Sequence, residues 1–181
     1  MYLISVYFDE KTYKTLQKLI VRVAKASGNM FMMEHQVPPH MTIGAFETNQ
    51  LEDAISVFHQ FQKKFTSGKI RIMSMGQLLP YVLYVTPVLN EYLQGLVEDV
   101  NEILEQVPNI RKSKYYRPYS WLPHITIGKT LAKEEMVKAF ETMQQYFVPM
   151  EATVMEIGLA RTNPHEDLIR FGESKLEETY E

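Results

Sequence analysis

Apolar positions in this chain follow two spacings, every second residue and every third or fourth, and stretches of the two alternate along its length. Tyr2 to Phe8 is a β-branched and aromatic run that predicts a strand, with Asp9 placed to cap a following helix. Tyr13, Leu16, Leu19, Ile20, Val23 and Ala24 then recur at helical spacing until Gly28 offers a stop. Asn29 to Val37 reads as a methionine-rich connection or an irregular strand, and Pro38 with Pro39 imposes an extended entry into the next segment. From His40 the period is two. His40, Thr42, Gly44 and Phe46 share one side and Met41, Ile43 and Ala45 the other, which predicts a strand with one polar-bearing and one apolar face. Asn49 with Glu52 has the form of a capping box, and Leu51, Ala54, Ile55, Phe58, Phe61 and Phe65 make the stripe of a second helix. Gly68 closes it, and Lys69 to Gly76 predicts another strand.

The succession then starts again. YVLYVT at Tyr81 to Thr86 echoes YLISVY at Tyr2 to Tyr7. Asn90 is placed to cap a helix carrying Leu93, Leu96, Val97, Val100, Ile103 and Leu104, ended by Pro108. After a polar and aromatic loop to Pro123, His124, Thr126 and Gly128 repeat the alternating pattern, with Ile125 and Ile127 opposite. Met136, Val137, Phe140 and Met143 mark a further helix, Glu151 to Arg161 a further strand, and the residues after Ile169 a short last element with an acidic tail. The expectation is an α+β fold: one bilobal domain over residues 1–181, built from two pseudo-symmetric β-α-β-α-β units of about 1–79 and 80–171 that pack around a central cleft. No strand is followed by the glycine-rich turn that cradles a pyrophosphate in doubly wound folds.

Composition narrows the chemistry. The 181 residues are 45% hydrophobic, enough for a core, and contain no cysteine, which removes thiol nucleophiles, disulfides and thiolate metal sites and suits a cytoplasmic setting. No apolar run approaches the ~20 residues of a membrane span, and acidic residues directly after the first run mark it as a strand rather than a leader. The net charge of −3 argues against a coat for long duplexes but leaves room for a local phosphate site. One basic and aromatic cluster, IRKSKYYRPYSW at Ile110 to Trp121, leads directly into the second histidine stretch.

The doubled pattern carries the candidate chemistry. His40 with Thr42 and His124 with Thr126 each stand on one strand face about one pleat apart. Two imidazoles, whose ordinary pKa is ~6.5, can divide a proton transfer, one accepting while the other donates, and each threonine hydroxyl can hold an anionic oxygen beside its ring. Gly44 and Gly128 keep bulk away one pleat further on. This is sufficient equipment for opening a phosphodiester without a metal or other cofactor. A metal hydrolase is the next alternative in chemistry, since two histidines supply imidazole ligands, but no aspartate or glutamate stands in the HxT stretches and no HExxH is present.

PHMTIG at Pro39 to Gly44 and PHITIG at Pro123 to Gly128 resemble the paired HxTx stretches of the 2H phosphoesterase superfamily, which includes the proteins called 2′–5′ RNA ligases and 2′,3′-cyclic nucleotide phosphodiesterases. The resemblance spans nearly the whole chain. It implies a bilobal fold, His40 and His124 as acid and base, Thr42 and Thr126 as phosphate-binding hydroxyls, and a small nucleotide or RNA end as partner, with ligation as the reverse reaction. Many relatives carry extra basic residues close after the histidine stretches. Here Ala45 and Phe46 follow the first and only Lys129 the second, which favours a small nucleotide or short RNA end over a long polymer.

Around these four residues the sequence offers Lys114, Tyr115, Arg117 and Tyr119 from the basic and aromatic loop as base-stacking and phosphate-countering groups, or as a solvated loop. Lys129 follows the second histidine stretch. Tyr7 and Tyr84, at similar places in the echoed strands, can line the cleft or pack, and Arg161 at a strand end can reach a phosphate or form a surface ion pair. His59, beside Phe58 on a helix, reads as a packed or half-exposed helix residue, and His35 and His165 have no partner pattern. A non-catalytic binder of nucleotides or RNA ends, and an enzyme for a cyclic phosphate on a non-RNA metabolite, remain alternatives. The oligomeric state is not readable, a monomer being favoured.

Overall fold

The structure, a computed structural model, describes residues 1–162 and 166–172, so His165 and the acidic tail lie outside the described residues. Strand β1 (Tyr2–Phe8) leads to helix α1 (Glu10–Ser27), the short α2 (Phe31–Glu34), β2 (Met41–Glu47), α3 (Leu51–Phe61) and β3 (Gly68–Leu78). The second half runs β4 (Val82–Pro87), α4 (Glu91–Leu104), three two-residue strands β5 (Arg111–Lys112), β6 (Tyr116–Arg117) and β7 (Ser120–Trp121), then β8 (Ile125–Gly128), α5 (Lys133–Tyr146), β9 (Met150–Arg161) and β10 (Glu166–Gly172). Asp9 and Asn90 cap α1 and α4 by accepting the N–H groups of Thr12 at 2.9 Å and Leu93 at 3.0 Å. Gly28 ends α1 at φ 81°, where its N–H closes on the Ala24 carbonyl.

Local details depart from the sequence expectations in five places. Asn49 does not cap α3. The Thr48 hydroxyl instead accepts the Gln50 N–H at 2.9 Å and turns the chain into the helix. That helix stops at Phe61, and Gly68 opens β3 rather than closing a helix, though Phe65 is still buried. Residues 31–34 are helical, and both faces of β2 are buried because α4 packs on one and the segment around β6 covers the other. Tyr13 and Val137 lie on exposed helix flanks, since the apolar stripe of a helix need only cover the arc that meets its neighbour.

All the strand pairings are antiparallel. β10, β9, β1 and β2 form one side of the main sheet, and β3, β4 and β8 the other. The long β9 joins them: its first residues pair with β3 (Ile72↔Met150 to Gly68↔Val154), and its later ones lie between β1 and β10. Each half therefore gives away its third strand. β3 ends the first half but pairs with β4 of the second, while β9 comes from the second half and pairs with β1 of the first. The helices cross over in the same sense. α1 packs with α5 on the β4–β8 side, and α4 packs with α3 on the β1–β2 side. Ile4, Met41, Ile43, Val85, Val97, Val100, Ile125 and Ile127, all 0% exposed, fill the interior between sheet and helices.

Candidate active site

Two strands remote in sequence meet where β2 pairs with β8 through Met41 and Ile125. Both side chains are fully buried toward the helices. Alternation along each strand then places His40, Thr42, His124 and Thr126 together on the opposite sheet face. In an antiparallel pair of this register His40 stands across from Thr126 and His124 across from Thr42, with the two histidines on the diagonal, about 7–8 Å apart and somewhat closer at Cβ. The imidazoles are anchored identically. His40 Nδ1 donates to the Pro38 carbonyl at 2.8 Å and His124 Nδ1 to the Leu122 carbonyl at 2.9 Å. A carbonyl oxygen can only accept, so Nδ1 carries the proton in the neutral ring and Nε2 carries the lone pair.

A matching irregularity sits beside each histidine strand. Ile4 pairs with Gly44 and Ser5 with Thr42, skipping Ile43; Leu83 pairs with Gly128 and Tyr84 with Thr126, skipping Ile127. Both are β-bulges, and they redirect the glycines. A Cβ on Gly44 would lie 2.8 Å from Val100 Cγ1 of α4, and one on Gly128 would lie 2.8 Å from Leu131 Cδ1 and 3.4 Å from Val23 Cγ1 of α1. The two glycines thus admit the crossed-over helices to the sheet instead of clearing the cleft, as the strand period alone would have it.

The same register revises the pairing of the tyrosines. Tyr84 and Ser5 hold equivalent places, each opposite the threonine, whereas Tyr7 stands two residues beyond Ser5. The Tyr84 ring meets His124 edge-on at 5.6 Å between centroids, and the Tyr7 ring lies 6.4 Å from that of His40. Ser5 leaves space that the other half fills with an aromatic ring. Its hydroxyl is 3.2 Å from that of Thr42, which also bonds the Tyr116 hydroxyl. Thr42 is accordingly 7% exposed, while Thr126 is half-buried. Burial raises the Tyr116 phenol above its usual range, against the opposing bond to Thr42. Tyr7 is buried beneath Arg170, whose Cζ lies 3.7 Å from its ring centroid. Burial and the neighbouring Asp167 carboxylate, 3.4 Å from the phenol oxygen, push the Tyr7 hydroxyl far above its ordinary value, so it stays a neutral donor.

On the His124 side the loop before β8 folds into the β6–β7 hairpin, with Tyr116 paired to Trp121, and walls a cavity of about 720 Å³. Lys114, Tyr115, Tyr116, Tyr119 and Trp121 line it together with His124, and Leu78 of β3 closes the far side. Its size and aromatic walls suit one nucleotide. The Tyr119 hydroxyl donates to Glu98, which raises its pKa, and Lys114 sits 5.3 Å from the Tyr115 ring centroid. Three expected contributors lie elsewhere. Arg117, next to Tyr116 in the hairpin, is exposed and outside the cavity lining. Lys129 follows the far end of β8, over the Phe31 ring. Arg161 pairs with Tyr2, at the end of β1 away from His40, and its guanidinium binds Glu166 at 3.1 Å. Sequence reasoning missed Ser5 and Arg170. Aligning the two halves at Tyr84 would have flagged the serine, but nothing in the repeat flags an arginine on β10, which has no counterpart. Among the described residues no group of three or more histidines, aspartates or glutamates is arranged to hold a metal ion.

Known proteins resemble this chain in sequence and in fold. Residues 35–166, which include both histidine stretches, match the family model of the 2′-5′ RNA ligase superfamily. A Bacillus pumilus (strain SAFR-032) protein named as a phosphoesterase is 27% identical over 124 residues, 65% of this chain and 67% of that one. The fold is similar to E. coli LigT crystallised with 3′-AMP, at TM-score 0.61 and 14% identity over 96% of this chain and 98% of that one. It is also similar to TT0787 of Thermus thermophilus, at TM-score 0.59 and 17% identity over 94% and 96% of the two chains. With the family model covering most of its length and the two HxTx stretches meeting on one sheet face, the chain belongs to the 2′-5′ RNA ligase superfamily.

Proposed function

We propose that this protein is a metal-independent phosphodiesterase that acts on 2′,3′-cyclic phosphates or 2′–5′ linkages at RNA ends or on small nucleotides, using His40 and His124 as paired acid and base. The observation that carries this reading is the identical tethering of both rings through Nδ1, which leaves each Nε2 as the nitrogen for proton exchange. In hydrolysis of a cyclic phosphate, one neutral Nε2 takes a proton from water as the oxygen attacks phosphorus. The bond from phosphorus to one ribose oxygen breaks, and the protonated Nε2 of the second histidine gives its proton to that oxygen. The product is a phosphomonoester beside a free hydroxyl, and the rings return to their starting states by proton exchange with solvent. With a ribose hydroxyl in place of water the same sequence run on a cyclic end forms a new diester. Thr42 and Thr126 donate to the phosphoryl oxygens as charge builds there.

The aromatic cavity beside His124 takes the base, with Lys114 against its phosphate. LigT was crystallised with 3′-AMP, a nucleotide of the size this cavity suits. The reading treats residues 1–79 and 80–171 as units of one bilobal domain that contribute one histidine each. An assay with 2′,3′-cyclic nucleotides and with RNAs carrying cyclic or 2′–5′ ends, run in excess chelator, tests it. Turnover by the wild type that His40→Ala loses is the expected result. Equal turnover by the two proteins, or tight binding without product, would reject it, the second outcome pointing to a binding protein.

A further inference from the structure

The cross-strand rows of the β10–β9–β1–β2 side hold a second feature. Arg170 pairs with Gly158, Gly158 with Ser5, and Ser5 with Thr42, so the four stand in one row on one face, across about 14 Å of sheet. Between the arginine and the threonine the row contains only a glycine and a serine. A Cβ on Gly158 would come 3.0 Å from Tyr7 Cε2, because the Tyr7 ring lies across the bare backbone there. The guanidinium rests on that ring at 3.7 Å, and the ring is 6.4 Å from His40, so the Arg170 charge sits within about 10 Å of the imidazole.

Glu156 fixes the fork without consuming it. Its Oε2 accepts from Arg170 Nε at 2.6 Å, while Nη1 and Nη2 donate to no described residue. An ordinary surface ion pair would contribute little and would need no buried ring beneath it. Here the cation is stacked on the buried Tyr7 ring, which fills the space over Gly158, and is oriented by a carboxylate on the same sheet face as Thr42. The Tyr7 phenol stays neutral and donates to Asp167, so the negative charges beside the guanidinium are the Glu156 and Asp167 carboxylates.

We propose that Arg170 forms an anion subsite on the His40 side of the cleft, which takes the phosphate one nucleotide away from the reacting one. This rests on the phosphodiesterase reading and deepens it. The cleft is polar, with a base-accepting aromatic end at His124 and a phosphate-accepting end at His40, so that it selects a nucleotide joined to a chain over a bare cyclic mononucleotide.

Steady-state kinetics of wild type, Arg170→Met and Arg170→Lys on a 2′,3′-cyclic mononucleotide and on a dinucleotide with the same cyclic end test this. Arg170→Met should raise KM for the dinucleotide about ten- to a hundredfold, at least tenfold more than for the mononucleotide, with little change in kcat. Arg170→Lys should restore part of the loss. Equal effects on both substrates, or none, would overturn the subsite. A 3′-phosphorylated deoxydinucleotide, which cannot cyclise, separates this from the parent reading when its binding is followed by Trp121 fluorescence. Affinity lost in Arg170→Met while the wild type turns over neither substrate would leave the subsite standing and the hydrolytic reading rejected. Unchanged affinity with turnover intact would do the reverse.

Discussion

Met41 and Ile125 are direct partners across β2 and β8, and this one contact fixes where both histidines stand. Because side chains alternate along a strand, sliding either strand by a single residue would send its histidine and threonine into the helix layer. The histidine face is therefore secured from behind, by two fully buried apolar side chains.

His40→Ala and His124→Ala should each lower kcat/KM on a 2′,3′-cyclic nucleotide by roughly 10²–10⁴, and the double variant should lose little more than the worse single one, since the two act as one unit. The wild-type pH profile should be bell-shaped, because one ring must be neutral while the other is protonated, and each single variant should flatten one limb. Initial rates across pH check both statements.

The two threonines should separate in behaviour. Thr42 is buried and bonded to Ser5 and Tyr116, so Thr42→Val strands two hydroxyl groups and should cost about 1–3 kcal/mol of stability as well as activity. Thr126 is more accessible, and Thr126→Val should lower kcat with the denaturation midpoint nearly unchanged. Denaturant titration beside kinetics distinguishes them.

Alanine at the two bulge glycines should destabilise unequally. At Gly44 the new methyl meets Cγ1 of the β-branched Val100, which has little rotamer freedom inside a packed helix. At Gly128 it meets the Cδ1 tip of the buried Leu131 side chain, which has more rotamer freedom than a β-branched one. Thermal melts should place Gly44→Ala about 1–3 kcal/mol below wild type and Gly128→Ala between the two.

Asp9 holds α1 to the sheet as well as capping it, accepting from Thr12 and from the Thr153 N–H at 2.9 Å. Burial alone raises its carboxyl, but these hydrogen bonds outweigh it and leave the pKa below the usual range. Folding then favours the ionised form. That contribution is present above the unfolded value of ~3.9 and is lost as pH falls through the lower folded value. Asp9→Ala should cost about 1–2 kcal/mol at pH 7, and urea titrations should show the gap closing below about pH 4.

Trp121 is the chain's single tryptophan and lines the cavity beside His124. Nucleotide binding there should change its emission saturably. Tyr119→Ala, which removes an exposed stacking wall, should weaken the fitted affinity by roughly 1–3 kcal/mol. A wild-type titration with no change in emission would move the base elsewhere.

Most of the local architecture was written in local residues. The strand runs, the caps at Asp9 and Asn90 and the repeated P-H-x-T-I-G stretches each declare themselves within a few positions, and the basic and aromatic loop was visible as a cluster. What that reading could not supply depends on partners far away. Tyr116 and Arg117 are neighbours in the same loop, yet one turns in to Thr42 and the other out to solvent, a choice made by the β6–β7 pairing. Arg170 acquires meaning only through its row mates on β9, β1 and β2, and no periodicity links residues 5, 42, 158 and 170.

The trading of third strands between the halves gives the molecule the logic of an intertwined dimer tied into a single chain. Severed in the turn between β3 and β4, the protein would become two fragments, each holding the strand its counterpart lacks and neither able to finish its own sheet. Opening the lobes by hinge motion would tear main-chain ladders at β3 and β9, so any adjustment of the cleft is left to the hairpin and to side chains at the rim.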